Sequence, residues 1–327
     1  MTSPPPTREE RLEERMLSVA LGAAREAASL QRARAGTLAS DRWSEKGTSD
    51  FVTEVDRESE RRIVGRIRAA FPTDRILAEE GSGAEDPGGA SATLWIVDPL
   101  DGTTNWLHGY PEYAVSIAAL DAGGLSIGVV VNSATGEAFT AIRGAGARRD
   151  GRPIGVSRVS ELRLALLGTG FPFKRTEMIP DYLRVLGRAL QTTSGVRRGG
   201  AAALDLCDVA CGRLDGFWEH WLMPWDVAAG ALILREAGGS FAGLPGAAEP
   251  TLRDAATRGR AVADAFSGGR APGPDEAIRP GGPASRGAVL LPTDGAAFAA
   301  GNGRIDGAIR RLLEETLVGG ADGLRGG

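Results

Sequence analysis

Acidic residues placed at the ends of strands carry the chemistry of this chain. Residues 95–106, WIVDPLDGTTNW, read as a buried strand over 94–97 that stops at Asp98 and turns through Pro99 and Leu100 to Asp101. Carboxylates three apart across a proline turn can converge on one point, where their repulsion calls for a hard divalent cation. Gly102, Thr103 and Thr104 follow, with free backbone N–H groups and hydroxyls, a nest that suits a phosphate if it opens a helix. A decorated β-turn, with Asp and Asn in turn roles, is the plainer alternative. The twelve residues together are more specific than that.

Other acids fall in matching places. Glu79 and Glu80 close a short strand over 75–78, the second strand end to carry acids within about twenty residues, and strand ends are where α/β sheets build sites. Asp226 stands where a helix opens at Pro224-Trp225-Asp226; it reads as an N-cap, and an acid at a helix start can be cap and ligand at once. Upstream, in KGTSDFVTEVD at 46–56, Asp50 reads as a turn residue, and Thr53 with Asp56 as a capping box.

The elements that must position these acids follow from periodicity. Apolar residues at helical spacing predict a helix from Glu9 to about Arg34, and Ile63, Ile67 and Ala70 predict another that Pro72 stops. Alternation over 113–120, 125–132 and 137–142 predicts antiparallel strands, with Asp150-Gly151 as a hairpin turn. Beyond a change of character at 157–162, strand and helix alternate. Strands are expected at 164–167, 196–198 and 215–219, and helices at 179–190, 202–211 and 224–237. Order is expected again at 287–291 and 298–302, before a closing helix at 304–317. The fold class is α/β, with an α+β N-terminal lobe at 9–160 and an α/β C-terminal lobe at 161–327. Residues 1–8 are expected to be a disordered Pro-rich tail, and the Gly, Ala, Pro and Arg-rich stretch at about 245–286 a low-complexity insertion.

Composition limits the function classes. At 327 residues, with 42% hydrophobic and 24% charged, the chain can fill a large core. A net charge of −4 argues against a nucleic-acid surface as its main business. Cys207 and Cys211 sit in an apolar helical run and read as buried small hydrophobes. With only His108 and His220, a zinc site or a Ser-His-Asp triad has little to work with. The N-terminus lacks the apolar core of a signal peptide, and no stretch approaches the roughly 18 apolar residues of a spanning helix. The cytoplasm is the expected compartment, with no membrane partner.

LAEE at 77–80, WIVDPLDGTTNW at 95–106 and PWDVAAGALILREAGG at 224–239 resemble the three signature blocks of the inositol monophosphatase family of metal-dependent, lithium-sensitive phosphatases. KGTSDFVTEVD at 46–56 and RRGGAAALDLCDVACGRLDGFWE at 197–219 are similar to its flanking motifs. The resemblance covers roughly residues 10–243 and implies a five-layer α-β-α-β-α sandwich, a homodimer, and Mg²⁺-dependent hydrolysis of a small phosphate monoester. Carried over by motif, it puts Glu79, Asp98 and the Leu100 carbonyl on one metal, and Asp98, Asp101 and Asp226 on a second, with about two or three ions per site. It also implies that a Thr103–Asp56 pair works with Glu79 on the attacking water. Gly102 and Thr103 would cradle the phosphate beside Asp101 and Asp226. Glu219 and the Gly200-Ala201-Ala202 backbone would face the alcohol, and Lys46 and Asp50 would line the site. Ala201 departs from the hydroxyl residue frequent there in the family.

The substrate implied first is myo-inositol 1-phosphate. Histidinol phosphate, fructose 1,6-bisphosphate and 3′-phosphoadenosine 5′-phosphate are alternatives on the same centre. DPLDGTT also echoes the D-x-D-G-T of haloacid-dehalogenase-type phosphatases, but there the acids are two apart and the first is a covalent nucleophile. A catalytically silent regulatory relative is the alternative of another class; every residue of the metal and water-activating sets is present.

Overall fold

The computed structural model describes residues 7–35, 44–47, 50–81, 93–173, 175–243 and 296–318. The insertion expected at 245–286, the order expected at 287–291 and all but the last two residues of the expected tail lie outside them. Those two residues are not tail. Thr7 caps α1 (Arg8–Arg34) in a capping box with Glu10, whose amide donates to Thr7 Oγ1 at 3.2 Å. One face of α1 is a stripe of buried alanines, Ala20, Ala23, Ala24, Ala27 and Ala28, ending in Gln31.

A small antiparallel hairpin follows, β1 (Ser44–Gly47) and β2 (Asp50–Val52). Its short polar strands give no alternation, so sequence reading had found only a turn there. After α2 (Glu54–Ala70) come β3 (Arg75–Ala78), β4 (Leu94–Asp101), α3 (Thr103–His108), β5 (Ala114–Asp121), β6 (Gly124–Asn132), β7 (Ala138–Ile142), β8 (Ala147–Arg149) and β9 (Arg152–Pro153). These seven strands form one sheet in chain order, parallel only between β3 and β4. Asp150 and Gly151 close the last hairpin with φ of 49° and 77°, the mirror-image turn that suits strand twist.

The second sheet starts later than its apolar pattern suggests. Leu162–Leu164 forms a single 3₁₀ turn with Leu164 half exposed, and β10 runs Leu166–Thr169. Then come α4 (Ile179–Thr192), β11 (Gly195–Arg197), α5 (Ala202–Ala210), β12 (Gly216–Leu222), α6 (Pro224–Glu236), β13 (Ser240–Gly243), β14 (Ala296–Gly301) and α7 (Asp306–Val318). The strand order is β11-β10-β12-β14-β13, with β14 antiparallel to both its neighbours.

Alternating side chains build the cores that separate five layers. On β4, Trp95 and Val97 pack toward α1 and α2, while Leu94 and Ile96 face the opposite way, toward α5 and α6. On β12, Phe217 joins the α5–α6 core and Trp218 turns to Ile309, Leu312 and Leu313 of α7 and Val185 of α4. The order is therefore α1/α2, large sheet, α5/α6, small sheet, α4/α7: a sandwich of the α-β-α-β-α kind. Its middle helix is apolar all round because it lies between two sheets; Val227 to Leu234 of α6 are all buried. The backbone of α6 comes so near β6 that a Cβ on Gly128 would stand 2.8 Å from the Ala229 carbonyl oxygen. That contact allows only glycine. Among the described residues no helix is long and apolar enough to cross a membrane.

Candidate active site

The acidic turn is built by a bulge. β4 does not stop at Asp98, as its sequence suggests; it continues to Asp101, with the pairing to β5 shifted between Asp98 and Asp101. The proline makes this local solution natural, since it offers no N–H to the ladder. The Leu100 N–H turns back to Asp98 Oδ1 at 3.0 Å, and the Leu100 carbonyl accepts from Thr103 Oγ1 at 3.0 Å. Gly102 then takes the left-handed conformation (φ 85°, ψ 37°) and opens α3. A Cβ there would lie 2.8 Å from the Glu112 carbonyl oxygen, so the chain can reverse here only at glycine.

Neighbouring elements bring the other acids to this turn. β3 and β4 are parallel, and the Glu79 amide donates to the Val97 carbonyl at 3.2 Å, which sets Glu79 beside Asp98 at adjacent strand ends. Asp98 lies opposite Ser116 of β5, and the Ser116 hydroxyl holds the Trp225 carbonyl at 3.1 Å. That bond docks the start of α6, and with it Asp226. Asp226 is not the N-cap that sequence reading made it; Met223 is, and Asp226 at the third helical position accepts the Met223 N–H at 2.6 Å. Pro224 takes the first helical position, which puts the cap at Met223, three residues before Asp226.

The electrostatics of Asp98 follow from this convergence. Burial, and then Glu79, Asp101 and Asp226 in that order, push its carboxyl well above the usual range. A carboxylate 1% exposed among three further acids calls for a compensating cation. Among the described residues no three acidic, His or Cys side chains already stand as a closed cation cage. The donors nevertheless fit a hard dication: all are oxygens, they carry like charge, and one is buried.

The capping box expected at Thr53 and Asp56 is present, and it also serves the site. Asp56 Oδ2 accepts the Thr53 N–H at 2.9 Å and the Thr53 hydroxyl, leaving Oδ1 to take the Thr103 hydroxyl at 3.0 Å. Burial raises the Asp56 carboxyl above its usual range, against the lowering effect of these donors. Lys46 lies on β1 and Asp50 on β2, and β2 runs beside α3. Only their backbones are described.

The second sheet supplies the opposite wall. Asp101 Oδ2 accepts the Ala203 N–H at 2.8 Å, near the start of α5, whose N-cap Ala201 offers no side-chain bond. Gly200 (φ 94°) brings its carbonyl oxygen, and Ala201 its Cβ, to 3.3 Å from where a Gly102 Cβ would stand, so Gly200 and Ala201 edge the Gly102 turn, with Ala202 opening α5 next to them. Glu219 of β12 lies flat on Gly170, where a Cβ would stand 1.9 Å from the Glu219 carboxylate. Arg198 lies over the edge-to-face pair Phe171 and Phe173, 5.2 Å from each ring centre. Asp205 is buried with Oδ2 unpartnered; burial, then Glu219 and Asp101, push its carboxyl well up.

Several residues that hold the site escaped sequence reading. Ser116 is one, and Asn105, whose amide bridges the Glu112 and Gly199 carbonyls at 2.6 and 3.0 Å, is another. Glu60, wholly buried, accepts the Glu80 N–H at 2.6 Å and pins the turn after β3. Gln31 alone left a signal, as the one amide on the alanine stripe of α1.

Comparison with known proteins agrees with this arrangement. Residues 12–270 match the profile of the inositol monophosphatase family. The chain is 47% identical over 236 residues to the Nus factor SuhB of Pseudomonas aeruginosa, spanning 72% of this chain and 87% of that protein. It is 42% identical over 231 residues to the Nus factor SuhB of Escherichia coli, spanning 71% and 86%. Among solved structures, the extragenic suppressor protein suhB of Bartonella henselae superposes with a TM-score of 0.72 at 34% identity, over 92% of this chain and 99% of that one. The inositol monophosphatase of Anabaena gives 0.68 at 34% identity, over 92% and 96%.

Proposed function

Since the chain belongs to the inositol monophosphatase family, we propose that it hydrolyses a phosphate monoester with Mg²⁺, and that myo-inositol 1-phosphate is the first substrate to try. The observation that carries this reading is Asp98, buried among Glu79, Asp101 and Asp226 and next to the hydrogen-bonded Thr103–Asp56 pair. In this reading Glu79, Asp98, Asp101, Asp226 and the Leu100 carbonyl hold the metal. When bound, Mg²⁺ supplies charge neutralisation at the phosphoryl oxygens and water of lowered pKa.

The chain's own groups do the rest. Asp56 Oδ1 takes the Thr103 proton, which leaves lone pairs on Thr103 Oγ1 to receive one from the attacking water. Asp56 suits this role because burial raises its carboxyl above the usual range and so makes the carboxylate a stronger base. Gly102 and Thr103 at the start of α3, whose N-cap makes no side-chain bond, hold the phosphate. Glu219 and the 200–202 backbone face the alcohol, with Ala201 withholding the hydrogen bond that a hydroxyl would give. Histidinol phosphate, fructose 1,6-bisphosphate and 3′-phosphoadenosine 5′-phosphate remain alternatives for the pocket. Inhibition by Li⁺, a homodimeric state and a cytoplasmic location belong to the same reading.

The test is phosphate release by the purified chain with Mg²⁺ against those four esters. A clear preference assigns the pocket, and silence on all four, with Mg²⁺ shown to bind, sinks the hydrolytic reading for them. The relatives' name supports a second reading, a role as a Nus factor. The two separate at Asp98→Asn: the hydrolytic role is lost with that carboxylate, and a role independent of hydrolysis survives it.

A further inference from the structure

We propose that Gln31 is the positioning residue of the acidic turn, an inference that rests on the metal-dependent reading above. Where β4 leaves its ladder, the Pro99 and Leu100 peptide groups must find partners elsewhere, because buried backbone polar groups are costly to leave unpaired. Pro99 has no N–H. The Leu100 N–H goes to Asp98 Oδ1, and the Leu100 carbonyl lies 3.0 Å from the Thr103 hydroxyl, whose proton it shares with Asp56 Oδ1. One group is left, the Pro99 carbonyl, and it accepts from Gln31 Nε2 at 2.6 Å.

Gln31 is wholly buried and all its side-chain polar atoms are engaged. Nε2 also donates to Ser59 Oγ at 3.1 Å, on the helix that carries Asp56, and Oε1 accepts from the Ser133 hydroxyl at 2.6 Å. The Pro99 carbonyl, which can only accept, settles which end of the amide faces it, and the Ser133 hydroxyl then donates to the other end. The Gln31 backbone carbonyl accepts the Trp106 indole N–H at 2.9 Å and so fixes α3 as well. One residue thus fastens the turn that bears Asp98 and Asp101 to the helices that bear Asp56 and Thr103. With its amide removed, the Pro99 carbonyl must rotate to find another donor, and the Leu100 carbonyl and both carboxylates turn with it.

The experiment uses the full chain, Gln31→Met, which keeps the volume and removes the amide, and Ser133→Ala, which removes the bond that orients it. Two readouts are taken: Mg²⁺ titration by intrinsic tryptophan fluorescence, and the kcat and KM of phosphate release. Loss of a partner that orients metal ligands costs about 10–100-fold in metal affinity or activity. Gln31→Met is expected to raise the Mg²⁺ midpoint and to lower kcat, each by about tenfold, with KM changed less than about threefold. Ser133→Ala shifts both the same way by less. If both variants melt earlier but keep the parent's Mg²⁺ midpoint and kcat, Gln31 only stabilises the fold and the inference is overturned. If Gln31→Met does not fold, Ser133→Ala decides alone. A parent that binds Mg²⁺ but releases no phosphate overturns the hydrolytic reading, while the titration still judges Gln31. A parent with no Mg²⁺ response overturns both.

Discussion

Asp101 Oδ2 accepts the backbone N–H of Ala203 at 2.8 Å, although 102 positions separate the two residues. Helix α5 begins at Ala202 with alanine as its N-cap, a poor cap, and the carboxylate that bonds its first turn comes from the opposite sheet. The same side chain is among the acids that crowd Asp98. One residue therefore serves the charge cluster and the join between the two halves.

These two duties separate on substitution. Asp101→Asn keeps an oxygen that can accept from Ala203 and removes the charge; Asp101→Ala removes both. Mg²⁺-dependent turnover is expected to be lost in both variants. Urea denaturation should show Ala less stable than Asn by about 1 kcal/mol, the worth of an N-cap. Equal stability would show that the Ala203 bond contributes nothing.

Asp98→Asn is expected to trade activity for stability. Turnover should drop more than about 10³-fold, while the chelated protein should gain about 0.5–2 kcal/mol, because a buried carboxylate among three others is strained without a cation. Turnover that survives in chelator would sink the metal reading.

Thr103→Ala removes the hydroxyl that donates to Asp56 and should lower kcat by about 10²-fold or more, the scale of a proton-transfer partner. Thr103→Ser keeps the hydroxyl and should recover most of it. A serine variant as slow as the alanine one would assign Thr103 a packing role.

Asp205 gives a stability that depends on pH. Its folded pKa lies well above the unfolded value, from burial first and then Glu219 and Asp101. Folding therefore favours the protonated acid. The stabilising contribution is complete below the unfolded value of about 3.9 and is lost as pH rises through the folded one. Asp205→Asn should be more stable than the parent at pH 8, and the difference should shrink toward pH 4. Denaturation midpoints that stay parallel across this range would contradict it.

Gly243 of β13 and Phe298 of β14 are paired partners, so the chain leaves and re-enters the second sheet at one point. Removing roughly residues 248–284 should leave folding and turnover near parental values, since halving a loop changes its closure entropy by only about 0.6 kcal/mol. Failure of the shortened chain to fold would assign the segment a structural part.

What sequence could reveal was whatever local chemistry decides. Thr53 with Asp56 announced a cap, and Asp98 with Asp101 announced a charge that needs neutralising. The apolar patterns at 113–120, 125–132 and 137–142 showed β5 to β7 of the large sheet, although both faces of these strands are buried. Placement by distant partners was invisible. Nothing local tells that Ser116 holds Trp225, or that Asn105 bridges to Gly199. The bulge was missed because a proline after Asp98 reads as a stop, when the ladder only steps over it. Leu164 mimicked the start of a strand, and Asp226 a cap, because propensity was right about the neighbourhood and wrong by two or three positions.

The position of β14 between β12 and β13 has a consequence for the order in which the molecule is made. The large sheet uses residues 75–153 in unbroken sequence, so a ribosome can deliver all its strands early. The small sheet cannot close until residues 296–301 emerge, because its last-made strand is an inner one. Until then β12 and β13 each present an unsatisfied edge, the kind of surface that invites mispairing. During synthesis Asp98 and Asp101 wait in a finished sheet for Asp226, which emerges on a helix made only after that sheet is complete.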